Sequence, residues 1–324
     1  MTNIAALPPS SPLRKGTASG VSLRLAASAL VVVVWISAAI FGLYIVAFYG
    51  GAAADGSLEQ WNKHLPGLYE PGTSLATIGM AFHLITGAIL LALGPIQFFG
   101  PIRNNVPALH RWIGRIYTMA AFIAGIGGLT FIALKGTIGG ASMNLGFSLY
   151  GALMLIASVE TIWNAWKRNF VQHRAWAIRL FALAIGSWLY RMDYGFWLSL
   201  THGLGHTKTF DGPFDVVMSF FYVPNLLIAE FIIQKPRINV LPGIKLITAL
   251  VLCGAAASLV LATYTVTRHQ WGPGILTRLA GAGLQRNLVT SRTFSCRSNG
   301  NGMAEDERRN GHGEQTTTPR PPHR

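Results

Sequence analysis

The chain has 324 residues, of which 51% are hydrophobic and only 12% are charged. Soluble domains carry about 25% charged residues, so this composition excludes a typical soluble enzyme and a chain that is disordered throughout. The two cysteines, Cys253 and Cys296, are too few for a disulfide framework or for the usual cysteine-ligated zinc or iron–sulfur site.

Seven apolar segments are each long enough to cross a bilayer as a helix. A hydrocarbon core about 30 Å thick requires about 20 residues that rise about 1.5 Å each. In chain order the predicted spans are Leu25–Phe48, Thr77–Phe99, Ile113–Leu134, Leu145–Ala165, Ala175–Leu200, Phe214–Ile233 and Ile244–Val266. Because a helix satisfies its backbone polar groups within one segment, the sequence predicts an all-α, polytopic transmembrane bundle of about seven helices.

These spans divide the chain into a flexible N-terminal segment, 1–24, a membrane domain, 25–267, and a basic tail, 268–324, whose composition is typical of disorder. Thirteen Lys and Arg residues lie in or beside the short connections on one side of the spans, against three on the other. This asymmetry predicts a cytoplasmic N-terminus. It also assigns most of the net charge of +14 to topology and to contact with anionic lipids rather than to nucleic acid.

The third and fifth spans begin with similar motifs on the predicted cytoplasmic side. The two motifs are His110-Arg111-Trp112 with Arg115, and His173-Arg174 with Trp176 and Arg179. Each motif begins the second helix of a hairpin, because spans two and three form one hairpin and spans four and five another, and this suggests a weak parallel repeat. In such a repeat the two histidines lie at the same depth in the membrane.

Helical spacing places a histidine at the head of a row of small residues on three spans. The rows are His83, Gly87, Leu90, Gly94 and Gln97; His110, Gly114, Tyr117, Ala121, Gly125 and Gly128; and His173, Ala177, Leu180, Ala184, Ser187 and Arg191. Small residues at this spacing commonly serve only to let membrane helices approach closely. The same rows also suit the flat face of a haem.

The more specific interpretation is therefore a b-type haem bound by two imidazoles. His110 and His173 form the predicted inner pair, and His83 marks a second, outer position. The nearby cations that would contact propionates or lipid head groups are Arg111, Arg115, Arg174 and Arg179. His202 and His206 are candidate partners for His83, or half of a loop metal site with Asp211. No metal is predicted beyond the haem iron.

Four ionisable residues inside the predicted spans are expected to form ion pairs or to bind ligand, because isolated charges are costly in lipid. Glu160 and Glu230 lie about one turn from the inner end of their spans and are expected to neutralise nearby arginines. Arg191 and Asp193 lie toward the outer end of the fifth span. No nucleophile–base pair or phosphate-binding loop is present in the sequence, so no catalytic residue is assigned and enzymatic activity is left open.

The motifs together resemble a family of predicted bacterial membrane proteins, domain of unknown function 2306. The resemblance covers about 77–233 and rests on Phe82–Leu84, Gly94–Phe98, Leu109–Tyr117 and His173–Trp176, with Arg179 and Arg191. It implies a multi-pass protein of the bacterial cytoplasmic membrane. The histidines toward both faces of the bundle are also distantly similar to two-haem cytochromes of the b561 kind.

Two functions are expected from these observations. The first is a transmembrane electron carrier with bis-histidine haem b, whose electron partner is a quinone or a redox protein. The alternative is a non-redox membrane protein (a transporter, a lipid-binding protein or an assembly scaffold) that uses the inner Arg/His cluster.

Overall fold

The computed structural model describes residues 18–64, 67–97, 99–234, 242–278 and 280, and the described part of the chain contains helices and no strands. The seven long helices are α1 (Ala18–Tyr44), α2 (Ser74–Gln97), α3 (Pro107–Lys135), α4 (Gly140–Trp166), α5 (Phe170–Thr201), α6 (Tyr222–Gln234) and α7 (Pro242–Val266). Shorter helical segments are Ile45–Gly50, Gly51–Ala54, Leu58–Lys63, Gly100–Asn105, Pro213–Met218 and Thr267–Trp271. The all-α prediction is confirmed.

The boundaries of the helices differ from the predicted spans mainly at the two ends of the chain. Helix α1 begins at Ala18 and therefore includes the last residues of the segment predicted to be flexible. Helical structure continues past α7 as far as Arg278, into the predicted tail. The remainder of 1–24 and most of 268–324 lie outside the described residues. The seven helices belong to a unit that ends at Ile275, and Leu276 begins a second one.

Large apolar side chains cover the sides of the helical bundle that face away from its interior. Ile36 on α1, Trp112 on α3 and Phe231 on α6 are 57%, 62% and 68% exposed. A soluble monomer rarely exposes continuous apolar surface on this scale. The surface therefore requires lipid as its solvent, and the protein is an integral membrane protein.

Six helical stretches of the described residues are both long and apolar enough to span a bilayer, and α5 is the long helix absent from that set. The reason is its charge, because Arg174, Arg179, Arg191 and Asp193 lie within Phe170–Thr201. Helix α5 nevertheless has 32 residues, or about 48 Å at 1.5 Å per residue, which is more than enough to cross.

The packing of α1 on α7 supports a crossing by α5. The Ser37 and Thr263 hydroxyl groups are 2.6 Å apart, and the Phe41 ring lies 5.1 Å from the Trp271 ring. The contact residues increase in residue number together along both helical segments, which shows that α1 and α7 run parallel. Helices α1 and α7 can be parallel only if an odd number of spans lies between them in the chain. If α2 to α6 all cross, that number is five, whereas without α5 it would be four. The packing is therefore that of seven spans.

Helices α2, α3, α4 and α5 form a four-helix ring in which each packs on its neighbours in sequence, and α5 closes the ring against α2. Helices α3 and α5 lie diagonally opposite and share few or no close backbone contacts. The short connections force adjacent helices to be antiparallel. The first turns of α3 and α5 are therefore at the same end of the ring, together with the last turns of α2 and α4.

Candidate functional site

The two histidines that the sequence paired lie at the end of the four-helix ring where α3 and α5 begin, which is called the inner end after its predicted cytoplasmic side. His110 lies in the first turn of α3 and His173 in the first turn of α5. Both histidines therefore lie at the same end of the four-helix ring. The prediction that they share one end of the bundle agrees with this arrangement, and the ligation of haem by them stays a prediction.

The His173 ring is held by the neighbouring helix. Its Nδ1 atom lies 2.9 Å from the Thr161 carbonyl oxygen of α4. A carbonyl oxygen only accepts hydrogen bonds, so Nδ1 carries the proton, and a neutral ring then has its lone pair on Nε2. Histidines that bind metals typically have this arrangement, with the second nitrogen bonded to a carbonyl or carboxylate.

The His110 ring has no such support among the described residues. Its Nδ1 atom is buried without a hydrogen-bond partner there, and the same is true of Gln97 Nε2 and the Tyr117 hydroxyl. Gln97 lies at the α2–α3 contact beside Gly114, where an added Cβ would be 3.4 Å from Gln97 Oε1. These three unpaired polar atoms belong to two of the rows of small residues identified in the sequence, Gln97 to the row on α2 and His110 and Tyr117 to the row on α3.

The four inner arginines occupy two kinds of environment. Arg179 bonds to both carboxylate oxygens of Glu230, with Nη2 to Oε2 at 3.1 Å, and its guanidinium lies 4.6 Å from the Trp176 ring. Arg115 lies 5.1 Å from the Trp112 ring. The remaining two, Arg111 and Arg174, are exposed and form no ion pair with any described residue. The expected neutralisation of an arginine by Glu230 is thus present.

Glu160 differs from the expectation that it would pair with an arginine. Its Oε2 accepts a hydrogen bond of 3.0 Å from Asn164 Nδ2, one turn further along α4. Two residues four apart on a helix face each other, so this local partner is always within reach. Arg115 is instead directed to the Trp112 ring.

The two outer charges of α5 also lack the expected pairing within the described chain. Arg191 donates to the Ser187 carbonyl oxygen at 2.7 Å and lies 5.0 Å from the Phe41 ring. Asp193 is exposed, with no ion pair to a described residue. Arg191 faces the bundle and Asp193, two positions on, faces out, which follows from the helical repeat.

His83 lines a small cavity at the centre of the four-helix ring. The cavity has a volume of about 40 Å³, and Gly87, Gly128, Tyr150 and Ser187 also line it. His83 Nδ1 lies 3.0 Å from the Ala124 carbonyl oxygen, so its Nε2 also carries the lone pair when the ring is neutral. A volume of this size holds a few water molecules and is far below the 300 Å³ or more of typical ligand sites.

The outer loop contains a buried carboxylate that the sequence reasoning missed. Asp215 has no exposed surface and accepts four hydrogen bonds. Its Oδ1 accepts from the Tyr194 hydroxyl at 2.6 Å and His206 Nδ1 at 2.7 Å, and its Oδ2 accepts from the Thr207 and Gly212 amides, each at 3.0 Å. The sequence signal was Gly212-Pro213 followed by an acid at the third helical position, a typical helix start.

The two loop histidines have positions that are explained by the structure of the loop. His206 is committed to Asp215, and His202 ends α5 as an exposed residue in the left-handed conformation. Asp211 accepts hydrogen bonds from Thr207 and Thr209 at 2.6 and 2.8 Å, which lower the pKa of its carboxyl group. Within the described ranges, no group of three or more potential metal ligands is present.

Residues 80–233 match the model of a family described as "Predicted membrane protein (DUF2306)". The matched segment runs from α2 to α6 and contains the whole inner site. This match confirms the resemblance found in the motifs of the chain. Neither the curated proteins nor the solved structures gave a significant match.

Proposed function

We propose that this protein is a membrane electron carrier that holds one b-type haem between His110 and His173. The observation that carries the proposal is that both imidazoles lie at one end of the four-helix ring, on helices that are diagonally opposite. A ligand inserted between diagonal helices can be held from both sides without separating two packed neighbours.

The protonation of His173 supports its role as a ligand. Its Nδ1–H donates to the Thr161 carbonyl, which orients the ring and leaves Nε2 free to bind iron. A haem with two imidazole ligands exchanges one electron between its ferric and ferrous states, and the protein tunes its potential through ligands, hydrogen bonds and burial. The electron partner would be a membrane quinone or a redox protein.

The exposed guanidinium groups provide the charge that haem propionates need. Arg111 and Arg174 each follow a proposed ligand by one residue, and neither is paired with a described carboxylate. Arg179 is already bonded to Glu230. We therefore assign the propionate contacts to Arg111 and Arg174.

We do not propose a second haem at His83. The cavity there has a volume of about 40 Å³ and holds water but not a macrocycle. The imidazole of His83 also packs closely on Gly128, where an added Cβ would lie 3.2 Å from Nδ1. The proposal is thus one haem at the inner end.

The test is the visible spectrum of protein purified after expression with added haem. We expect a Soret band with the sharp α band of a bis-imidazole haem, and its loss in His110→Ala and His173→Ala. His202→Ala is the matched control, since His202 is exposed on the outer loop, and it should keep the spectrum. A folded protein without a Soret band, or one that keeps it in both inner variants, would refute the proposal.

A second candidate, a non-redox role in binding an anionic solute or lipid head group, is favoured by the same exposed Arg111 and Arg174. Under this alternative, the purified protein has no haem, and Arg111→Gln and Arg174→Gln each reduce the amount of co-purified anionic lipid. Haem bound to the wild type but absent from the histidine variants would decide against it.

A further inference from the structure

An apolar groove runs between α1 and α7, outside the four-helix ring. Its volume is about 390 Å³, within the range of ligand-binding sites, and it opens toward the lipid. Its walls include Val33, Ile36 and Ile40 from α1 and Val260 from α7. Ile36 and Val260 are 57% and 52% exposed, so the groove is accessible from the bilayer.

Two of the polar side chains that line the groove bond to each other across it. Ser37 and Thr263 line it, and their hydroxyl oxygens are 2.6 Å apart in a hydrogen bond that joins α1 to α7. Almost all of the surface left for a ligand is hydrocarbon. Such a surface binds an alkyl chain and offers little to a polar solute.

The groove ends at a cation. Arg268 lines its mouth, is exposed, and donates from Nη1 to the Tyr264 hydroxyl at 3.1 Å. It forms no ion pair with the described part of the chain. This hydrogen bond keeps the guanidinium beside the groove, where a phosphate group would be in reach.

The length of the groove matches one leaflet. From Val260 to Arg268 is eight residues, or about 12 Å of helix, whereas half of a hydrocarbon core of about 30 Å is about 15 Å. Arg268 is the first charged residue after the apolar helix α7, and the long side chain of an arginine near the end of an apolar run can extend to the head groups. An acyl chain in the groove and a phosphate on Arg268 thus have the spacing of a single phospholipid.

We propose that the α1–α7 groove binds one anionic glycerophospholipid, with an acyl chain between the helices and its phosphate on Arg268. The site is separate from the proposed haem site and does not depend on it. An unpaired arginine at head-group depth favours a lipid with net negative charge over a zwitterionic one, by about fivefold in affinity if it contributes the usual energy of one basic residue.

The first experiment is native mass spectrometry of the full chain in detergent, with phosphatidylglycerol or phosphatidylcholine added at equal concentration. We expect one phosphatidylglycerol retained about fivefold more strongly than phosphatidylcholine, and no such preference in Arg268→Gln. Arg24→Gln removes one exposed charge from the far end of α1 and should keep the preference. Equal retention of both lipids by the wild type, or an unchanged preference in Arg268→Gln, would overturn the proposal.

The second experiment tests the apolar wall. Ile36→Trp places an indole in the groove and should reduce retention of phosphatidylglycerol to background, whereas Val32→Trp, on an exposed part of α1 outside the groove, should not. Full retention in Ile36→Trp would overturn the proposed site. Retention of added palmitate in place of phosphatidylglycerol would overturn the assignment to a phospholipid.

Discussion

Replacement of Asp215 by alanine and by asparagine should have very different consequences for stability. In Asp215→Ala the Thr207 and Gly212 amides lose the carboxylate oxygen that lies 3.0 Å from each. A buried donor without a partner costs about 1–3 kcal/mol. Two of them predict a loss of about 2–6 kcal/mol in the free energy of unfolding, before any loss from Tyr194 and His206.

In Asp215→Asn the same two amides can keep their acceptor. The amide oxygen replaces Oδ2, and the amide nitrogen takes the place of Oδ1, where it faces Tyr194 and His206. A tyrosine hydroxyl can accept as well as donate, and neutral histidine can move its proton from Nδ1 to Nε2. All four contacts therefore survive, and only those to Tyr194 and His206 reverse their direction. We expect a loss of no more than about 1 kcal/mol.

Unfolding in detergent micelles, followed by heat or by denaturant at neutral pH, measures both variants against the wild type. Asp211→Asn is the control for charge alone, because Asp211 is exposed in the same loop. Nitrogen NMR of His206 gives an independent check, since the asparagine variant should show the proton on Nε2. Equal destabilisation by alanine and asparagine would refute the reasoning, because it would mean that charge and not the pattern of donors holds the loop.

Three further predictions concern packing, pH and charge. Gly127→Ala should be about 1–3 kcal/mol less stable than Gly87→Ala, because a Cβ at Gly127 would clash with a carbonyl oxygen of α2 whereas Gly87 faces open space, and thermal melts of both variants check this. Burial, and secondarily a neighbouring lysine, lowers the pKa of His64 below 6.5. The unfolded chain then binds protons more readily than the folded one, so the stability of the protein should fall as the pH drops below about 6.5. Melts measured at several pH values should show less of this loss in His64→Asn. A double-mutant cycle with Arg179→Gln and Glu230→Gln should give a coupling energy of up to about 1 kcal/mol, since both side chains are partly exposed, and an absence of coupling would show that the pair does not stabilise the bundle.

The sequence was sufficient to predict the helices and the faces that meet inside the ring. Apolar length and helical periodicity are properties of one segment, so no tertiary information is needed to read them. Gly125 and Gly128 illustrate this, because each was predicted to face inward and each does: an added Cβ would touch Leu155 or His83. The end shared by His110 and His173 followed from the short connections alone.

The contacts that the sequence did not give depend on which of several partners lies nearest. Glu160 was expected to find an arginine, but Asn164 on its own helix is always within reach. Asp215 was counted within a span, because an isolated acid near an apolar run has no periodic signal. Its role follows from the preceding loop, which folds back over it and brings His206 and the Thr207 and Gly212 amides to its carboxylate. Composition and apolar length do not encode this fold of the loop.

The same rows of small residues have different consequences at different depths, and this decides where the ring can hold a ligand. At Gly79 an added Cβ would lie 2.9 Å from the Gly127 carbonyl oxygen, so the backbones of α2 and α3 touch in the outer half. Toward the inner end the corresponding contact is between Gly114 and the side chain of Gln97, at 3.4 Å. A side chain can rotate away, whereas a backbone contact cannot open without moving a helix. The inner end near His110 is therefore the part of the ring that can admit a flat cofactor at least cost, which supports the proposal of one haem there.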